Sequence, residues 1–135
     1  MPTSASFFLD SNVVLYVLDK ATSKNSIALA LIKQRPVIST QVVLENVNVC
    51  LRKFKFTKQD AHQHGTNLMN TCLVKLIDQV TIQQAFEISV THQLSHWDSL
   101  IVASALQNHC SILYSEDLHH SQMIEGRLTI LNPFV

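Results

Sequence analysis

The chain has 135 residues, of which 47% are hydrophobic and 15% are charged, and its ten basic residues balance its ten acidic ones. This composition predicts one folded domain over residues 1–135 and excludes intrinsic disorder. Two glycines are too few for a glycine-rich phosphate-binding loop, which excludes that route to nucleotide binding. A neutral chain also lacks the excess positive charge with which non-specific nucleic-acid-binding proteins neutralise phosphates.

The three cysteines are odd in number, widely separated and set among apolar residues, at Cys50, Cys72 and Cys110. They predict buried, reduced thiols, which are typical of the cytoplasm, and, because no C-x-x-C pair exists, neither a zinc ribbon nor a thioredoxin-like site. The sequence begins without the basic leader and apolar core of a signal peptide, and no apolar run reaches the ~20 residues of a membrane span. We therefore expect a cytoplasmic protein with no membrane partner.

The first half of the chain alternates between short apolar runs and helix-like segments. The predicted elements are a strand at 7–10, a helix over 23–34 ended by Pro36, a strand at 37–39, and a helix over 41–54 with Thr40 as its N-cap. The apolar segment 13–18 fits either a strand or a helix, and periodicity does not decide between them.

The second half of the chain continues the same alternation. The predicted elements are a helix over 57–72 opened by Thr57 and Asp60, a strand at 73–77, a helix from Thr81 to about residue 92, a helix opened by Ser95 and Asp98, and strands at 111–114 and 128–131. Asn108 or His109 is expected to stop the helix before residue 111 in a left-handed conformation. Alternating strands and helices predict a three-layer α/β/α sandwich around a parallel sheet of about five strands.

Acidic side chains stand where the predicted sheet would place a site. Asp10 ends the first strand, Glu116 and Asp117 follow the strand at 111–114, Asp98 opens the helix before that strand, and Glu45 lies on the helix after the second strand. In a right-handed βαβ arrangement these regions share one edge of the sheet. Clustered carboxylates repel each other unless a cation neutralises them, and their hard oxygens favour Mg²⁺ or Mn²⁺ over zinc.

Each of these acids also has a purely structural explanation. Asp98 suits a helix-capping role, Asp10 suits a turn, and Glu45 suits an exposed helical position. Glu116 and Asp117 suit an ordinary surface loop. The joint placement of all four regions at one edge favours the functional interpretation over the separate structural ones.

A second group of charges is basic. Arg52, Lys53, Lys55 and Lys58 are four of the ten basic residues and fall within seven positions. They suit a solvated helix end, where cations are favoured, or a contribution to binding RNA or a partner. His120 next to Asp117 suits either a surface position or a substrate contact.

The acids fall in segments that resemble a known family. Phe8-Leu9-Asp10-Ser11-Asn12 is similar to the first motif of PIN-domain ribonucleases of the VapC toxin type, in which an Asp-Ser/Thr-Asn follows an apolar strand. Leu94-Ser95-His96-Trp97-Asp98 and the five residues after it are the most specific match. The resemblance covers nearly all of the chain, and its remaining segments are 38–45, 113–118 and 130–134.

The resemblance implies a site and an activity. The family's four acids, here Asp10, Glu45, Asp98 and Asp117, hold Mg²⁺ or Mn²⁺ and support RNA cleavage. The resemblance also implies pairing with a VapB-like antitoxin protein, which we expect to block the acidic site, by inserting an arginine side chain into the crevice in place of the metal. We further expect Asn12, Ser115 and Glu116 to support the carboxylates or a metal-bound water, and Arg52, Lys53, Lys55 and His120 to be candidate substrate contacts.

Several questions stay open at this stage. An apolar-rich surface on a small chain predicts a homodimer. His109 and Ser121 stand where the family often has glycine, which puts the local loop geometry in doubt. The alternatives to a toxin are a non-catalytic PIN-like module that binds RNA or protein, and a housekeeping RNA-processing nuclease without an antitoxin. The presence of all four acids favours catalysis.

Overall fold

The computed structural model describes residues 6–135 and is built around a six-stranded sheet. The strands are β1 (Phe7–Leu9), β2 (Val37–Ser39), β3 (Leu73–Lys75), β4 (Ile112–Tyr114), β5 (Met123–Ile124) and β6 (Leu128–Leu131). Their order across the sheet is β3-β2-β1-β4-β6-β5, and every neighbouring pair is parallel except β5 with β6. The predicted parallel sheet is confirmed. The sixth strand was missed because two residues carry no usable alternation.

Within residues 6–135, six α-helices cover the sheet. They are α1 (Ser11–Val14), α2 (Lys24–Ile32), α3 (Thr40–Arg52), α4 (Lys58–Thr71), α5 (Gln79–His92) and α6 (His96–Gln107). The undecided segment 13–18 forms the end of α1 and a 3₁₀ turn over Leu15–Leu18. Helix α3 packs against α1 and α4, whereas α5 packs against α6. The chain runs from β1 through β2 to β3 on one side of the sheet and then crosses back to β4 on the other side of β1. Because these crossovers are right-handed, the helices before β3 and those after it lie on opposite faces, which gives the predicted three layers.

The helix N-termini begin where a short polar side chain satisfies a free backbone N–H group. Thr57 and Ser95 cap α4 and α6, as the sequence predicts. The sequence prediction is wrong for the N-caps of two other helices. Ser39, and not Thr40, caps α3 because its hydroxyl accepts a hydrogen bond from the N–H of Val42. Asp78 caps α5 because its carboxylate accepts from the N–H of Thr81, so Thr81 is the third residue of that helix and not its cap.

The central strands are buried in the core, and their hydrogen bonds also position the residues that follow them. Phe8 and Leu9 of β1 and Leu113 of β4 are fully buried. Beyond these strands the hydrogen-bond ladder continues for one residue: the N–H of Asp10 donates to Tyr114 O at 3.0 Å, and the N–H of Ser115 donates to Leu131 O at 3.0 Å. The sheet itself therefore sets the positions of Asp10 and Ser115.

The two positions where the family often has glycine are both left-handed. His109 follows α6 with φ 58°, and Ser121 precedes β5 with φ 71°. This confirms His109 as the left-handed stop of that helix, and Asn108 keeps a negative φ. The loop geometry that favours glycine is thus retained with other residues, at a conformational cost of roughly 1–2 kcal/mol each.

The three cysteines are all free and buried, as predicted. Burial raises the pKa of the Cys50 and Cys72 thiols and raises that of Cys110 to about 11. These thiols are therefore protonated and poorly reactive at neutral pH. No helix within residues 6–135 combines the length and the apolar character needed to cross a membrane.

Candidate active site

Four predicted acids line one cleft at the carboxyl ends of β1 and β4. The cleft has a volume of about 330 Å³ and contains Asp10, Glu45, Asp98 and Asp117. These side chains come from four separate elements: the end of β1, the middle of α3, the first turn of α6 and the loop after β4. The fold therefore brings together residues that are up to 107 positions apart in the sequence.

Asp10 lies at the base of this cleft and is only 6% exposed. Its carboxylate accepts hydrogen bonds from the Ser115 hydroxyl at 2.9 Å and from the N–H of Ser11 at 2.7 Å. Burial raises the pKa of Asp10 to about 7, and the nearby charges of Asp98 and Glu45 add to this effect against the two hydrogen bonds. The carboxylate is thus costly to ionise as long as no cation is beside it.

Glu45 is half-buried on α3 and is also held by neighbours. Its carboxylate accepts from the Ser11 hydroxyl and from the Gln41 amide at 3.3 Å. The same Gln41 amide donates to the backbone oxygen of Trp97 at 3.2 Å, which ties α3 to α6. The other end of that amide, Gln41 Oε1, is buried without a hydrogen-bond partner among the described residues.

Asp98 and Asp117 differ from the other two acids in having free carboxylates. Asp98 is half-buried and Asp117 is exposed, and neither carboxylate accepts a hydrogen bond from residues 6–135. Helix α6 is capped by the Ser95 hydroxyl, which accepts from the N–H of Asp98 at 3.2 Å. The reciprocal bond of a capping box is not formed by the Asp98 side chain, so capping does not account for its carboxylate.

Asn12 and Ser115 lie beside the acids, whereas Glu116 points elsewhere. Asn12 lines the cleft and accepts a hydrogen bond from the N–H of Glu116 at 3.1 Å. The Glu116 carboxylate accepts from the Tyr16 hydroxyl at 2.8 Å and forms an ion pair with Lys24. The expected fifth acid of the crevice is therefore a structural residue that anchors the loop after β4 to α2.

The structure reveals a buried polar network that the sequence did not indicate. Asn46 of α3 is fully buried and donates to the backbone oxygens of Ser11, at 3.4 Å, and of Val42, at 3.1 Å. Its side-chain oxygen lies 3.0 Å from Nε2 of His64 on α4. Burial lowers the pKa of His64, so this ring is neutral and its Nε2 donates to Asn46. A histidine and an asparagine on core-facing helix positions were the only available signal.

The candidate substrate contacts lie outside the acidic cleft. Arg52, Lys53 and Lys55 are exposed at the end of α3 and in the loop after it. His120 is exposed and its Nδ1 accepts a hydrogen bond from the N–H of Asn132 at 2.9 Å. His120 therefore supports the segment that follows β6 and does not line the cleft.

The donor chemistry of the cleft fits a hard cation. No lysine or arginine lines it, so its four carboxylates have no positive partner in its lining among residues 6–135. Oxygen ligands of this kind suit Mg²⁺ or Mn²⁺. Within residues 6–135, no three acidic, histidine or cysteine side chains stand close enough together to hold an ion without rearrangement. The carboxylates of Asp98 and Asp117, which no hydrogen bond from the described residues holds, are the groups that can make this adjustment.

An apolar groove of about 680 Å³ adjoins the acidic cleft. It shares Gln41, Glu45, Asn48 and Trp97 with the cleft and continues between α3, α5 and α6. Several large apolar side chains in it are exposed, including Leu44 (67%), Phe86 (50%) and Trp97 (60%). Exposed apolar side chains that lie next to each other often mark a surface that binds another protein or a ligand.

Comparisons with known proteins agree on the fold. A toxin–antitoxin complex from Klebsiella pneumoniae matches with a TM-score of 0.71 at 17% identity, over 95% of this chain and 98% of that chain. DNA-bound VapBC from Salmonella typhimurium matches with a TM-score of 0.71 at 14% identity, over 94% of this chain and 98% of that chain. A sarcin-ricin loop cleaving VapC toxin from Mycobacterium tuberculosis matches with a TM-score of 0.64 at 17% identity, over 83% and 90% of the two chains.

These identities are low, so the three likenesses concern the fold alone. No curated protein matches the chain in sequence. The family model described as the PIN domain, however, matches residues 7–125 and thus spans β1, the acidic cleft and all six helices. With the sheet order and the cleft already in place, this match shows that the chain belongs to the PIN-domain family.

Proposed function

We propose that this chain is a metal-dependent endoribonuclease and the toxic component of a type II toxin–antitoxin system, with one PIN domain over residues 1–135. The observation that carries the proposal is the cleft of four carboxylates without any basic side chain. Such a cleft repels RNA unless it first binds cations, and it has the oxygen donors for Mg²⁺ or Mn²⁺. The fold likeness to solved toxin–antitoxin complexes supports the same reading.

Each acid has a separate task in this proposal. Asp10 and Asp98 would hold the metal directly, and Glu45 and Asp117 would complete the site or anchor its waters. A bound Mg²⁺ lowers the pKa of its water and stabilises negative charge on the phosphate oxygens. Ser115 orients the Asp10 carboxylate through its 2.9 Å hydrogen bond. No serine, cysteine or histidine nucleophile is needed for such a hydrolysis.

The proposed partners follow from the apolar groove and the cleft together. An antitoxin segment with apolar side chains suits the groove, and an arginine next to them would reach the carboxylates of Glu45 and Asp98. The exposed apolar surface on α3 and α5 also suits a second copy of this chain in a homodimer. Three reduced thiols suit a cytoplasmic location.

The first experiment tests the metal and the acids. Purified protein is incubated with RNA in Mg²⁺, in Mn²⁺ and with EDTA, and the fragments are sequenced at their 5′ ends. Asp98→Asn is compared with Asp60→Asn, which makes the same change at an exposed position on α4, away from the cleft. We expect EDTA and Asp98→Asn to abolish cleavage while Asp60→Asn leaves it intact. Full cleavage in EDTA would exclude the metal mechanism.

Two further outcomes separate the alternatives. A folded protein that binds RNA but cleaves none under any metal condition is a non-catalytic PIN module. Cleavage in vitro without growth arrest on induced expression indicates a housekeeping nuclease. The toxin proposal requires both cleavage and growth arrest, and requires Asp98→Asn to lose both.

A second experiment tests how the antitoxin inhibits. A metal ion and a guanidinium would seek the same carboxylate oxygens, so antitoxin binding should weaken as Mg²⁺ rises. Its dissociation constant is measured in MgCl₂ and in NaCl at equal ionic strength, which removes general screening from the comparison. The same dependence on both salts would mean that the inhibitor does not occupy the cleft.

A further inference from the structure

The segment that joins α3 to α4 concentrates positive charge in an otherwise neutral chain. Arg52, Lys53, Lys55 and Lys58 are all exposed, and none of them forms an ion pair with an acid of residues 6–135. We call residues 52–58 the basic loop. Its charge is available to a ligand from solution, because no acidic residue interrupts the segment.

Two phenylalanines are interleaved with these cations. Phe54 is 39% exposed, and its ring centroid lies 6.0 Å from that of Phe56 at an interplanar angle of 48°. Lys55 between them has φ 58°, and the N–H of Phe56 donates to Cys50 O at 2.9 Å. The loop is thus a defined turn fastened to the end of α3, with an aromatic face beside its charges.

The stability of the fold does not explain this cluster. Arg52 and Lys53 at the end of α3 are in a favourable position, since cations stabilise the C-terminus of a helix. Lys58 is the first residue of α4, where a cation is unfavourable. Four like charges within seven residues also repel each other. A cost of this kind is expected where the residues serve binding.

The basic loop begins where the acidic cleft ends. Glu45, Asn48 and Val49 of α3 line the cleft, and Arg52 follows at the i+4 position from Asn48 and the i+3 position from Val49. Residues with this spacing share one face of a helix and lie about 5–6 Å apart. A nucleic-acid strand lying along this face of α3 would therefore contact the basic loop and the cleft in succession.

We infer that the basic loop binds single-stranded RNA, with its cations on phosphates and the exposed face of Phe54 stacked on a base, and leads the strand into the acidic cleft. The cleavage step rests on the proposed function, whereas the binding itself does not. A basic groove with an exposed aromatic ring is the usual design of sequence-tolerant single-strand binding. A protein partner is less well matched, because none of the basic-loop residues lines the apolar groove and no lysine or arginine lies among the residues that line it.

The test measures RNA binding in EDTA, where a metal-dependent nuclease is silent, so its result does not depend on cleavage. A fluorescent 12-nucleotide RNA is titrated with the whole protein over a series of NaCl concentrations. The loop variant replaces Arg52, Lys53, Lys55 and Lys58 with glutamine. The matched variant makes the same change at four exposed cations elsewhere on the surface, Lys20, Lys33, Lys75 and Arg127.

We expect the loop variant to bind RNA at least tenfold more weakly than the matched variant. Its slope of log Kd against log salt should fall by up to about 3, since each phosphate contact with a single strand contributes about 0.7. Its melting temperature should change little, because the loss of favourable cations at the end of α3 offsets the removal of Lys58 from a helix N-terminus. Equal weakening in both variants, no weakening, or no RNA binding by the wild type would each overturn the inference. Loss of antitoxin binding with RNA binding intact would assign the loop to the protein partner.

A second variant tests the aromatic contact separately from charge. Phe54→Leu keeps an apolar side chain and removes the ring, and it is compared with Phe134→Leu, which removes a half-buried ring that packs on Tyr16 and lines neither the groove nor the cleft. We expect about fivefold or weaker RNA binding for Phe54→Leu, with an unchanged salt slope. Identical binding by the two variants would remove the stacking contact from the proposal.

Discussion

Two pairs of acids line the same cleft and are held in opposite ways. The inner pair, Asp10 and Glu45, accepts hydrogen bonds from neighbouring serine and glutamine side chains. The outer pair, Asp98 and Asp117, accepts none from the described residues, and Asp98 is half-buried whereas Asp117 is exposed. The inner pair is therefore fixed in advance, whereas the outer pair is free to turn toward a ligand.

One pair therefore carries the free-energy cost of burying carboxylates, and the other pair allows the site to adjust to a ligand. The cost lies mainly in the inner pair, because Asp10 is buried and its pKa is raised to about 7. Asp117 avoids that cost because it is exposed, and Asp98 avoids part of it because it is only half-buried. Changes to the inner acids should therefore alter stability, and changes to the outer acids should alter ligand binding with little effect on stability.

The largest expected effect on stability is that of Asp10→Asn at alkaline pH. The pKa of this carboxyl rises from 3.8 to about 7 on folding, so the folded state retains a proton that the unfolded state loses between these values. Stability then falls as pH rises through this window, by on the order of 4 kcal/mol in all, and Asp10→Asn removes the loss. Below pH 4 the two proteins should be equally stable.

Urea unfolding in EDTA at pH 4 and pH 8 measures this prediction. Asn can keep the inner hydrogen bonds, since its oxygen accepts from Ser11 and its amide donates to the Ser115 hydroxyl. Asp60→Asn, at an exposed position, serves as the control and should not change the pH dependence. The prediction is wrong if the stability difference between Asp10→Asn and wild type does not grow with pH. Ionised Asp10 would then not be an unpaired buried charge.

Ser115→Ala should have the next largest effect. It removes the hydroxyl that donates to Asp10 and accepts from the N–H of Leu118, so two buried groups lose a partner. We expect a loss of about 1–3 kcal/mol at pH 8. Ser104→Ala is a close control, because the Ser104 hydroxyl is buried without a partner among the described residues. Equal destabilisation by both changes would show that the Ser115 hydrogen bond does not matter.

Ser11→Ala should have a smaller effect on the same pair. The variant removes the hydroxyl that donates to Glu45 but keeps the backbone N–H that donates to Asp10. Because Glu45 is half-buried and reaches water, we expect a loss of about 1 kcal/mol in the free energy of unfolding. Chemical denaturation at pH 7 with Ser26→Ala, an exposed serine on α2, provides the comparison. A loss beyond 3 kcal/mol would place Glu45 among the strongly buried charges.

The outer acids should give the smallest effect. Asp98→Asn and Asp117→Asn remove no hydrogen bond between described residues, and the Ser95 cap of α6 stays in place. We expect their free energies of unfolding to stay within about 0.5 kcal/mol of wild type, as for other surface changes. Thermal melts in EDTA test this. A clear destabilisation by Asp98→Asn would give that carboxylate a structural role.

The inner pair also shows what the sequence was able to predict. Asp10 follows an apolar strand, and strand ends meet at one edge of a parallel sheet, so its location followed from pattern and topology alone. Glu45 was placed on the correct helix for the same reason. The cap positions at Ser39 and Asp78 were missed by one and three residues, because several polar side chains at each start were equally suitable.

Other features depend on neighbours that are distant in sequence. Glu116 is drawn away from the cleft by Lys24 and Tyr16, which are about a hundred residues earlier in the chain. The hydrogen bonds from His64 through Asn46 to Ser11 join α4, α3 and α1, and no local sequence pattern predicts them. Interactions of this kind are set by tertiary packing, which propensity and periodicity do not describe.

The three buried cysteines can report local unfolding of the protein. Cys50 lies on α3, Cys72 directly follows α4, and Cys110 precedes β4, so they sample three regions of the core. In the folded state each thiol is shielded and protonated, with that of Cys110 at a pKa of about 11. A thiol reagent can therefore reach them only when a region unfolds. Labelling rates of single-cysteine variants would show whether α3, the end of α4 or the region before β4 opens first.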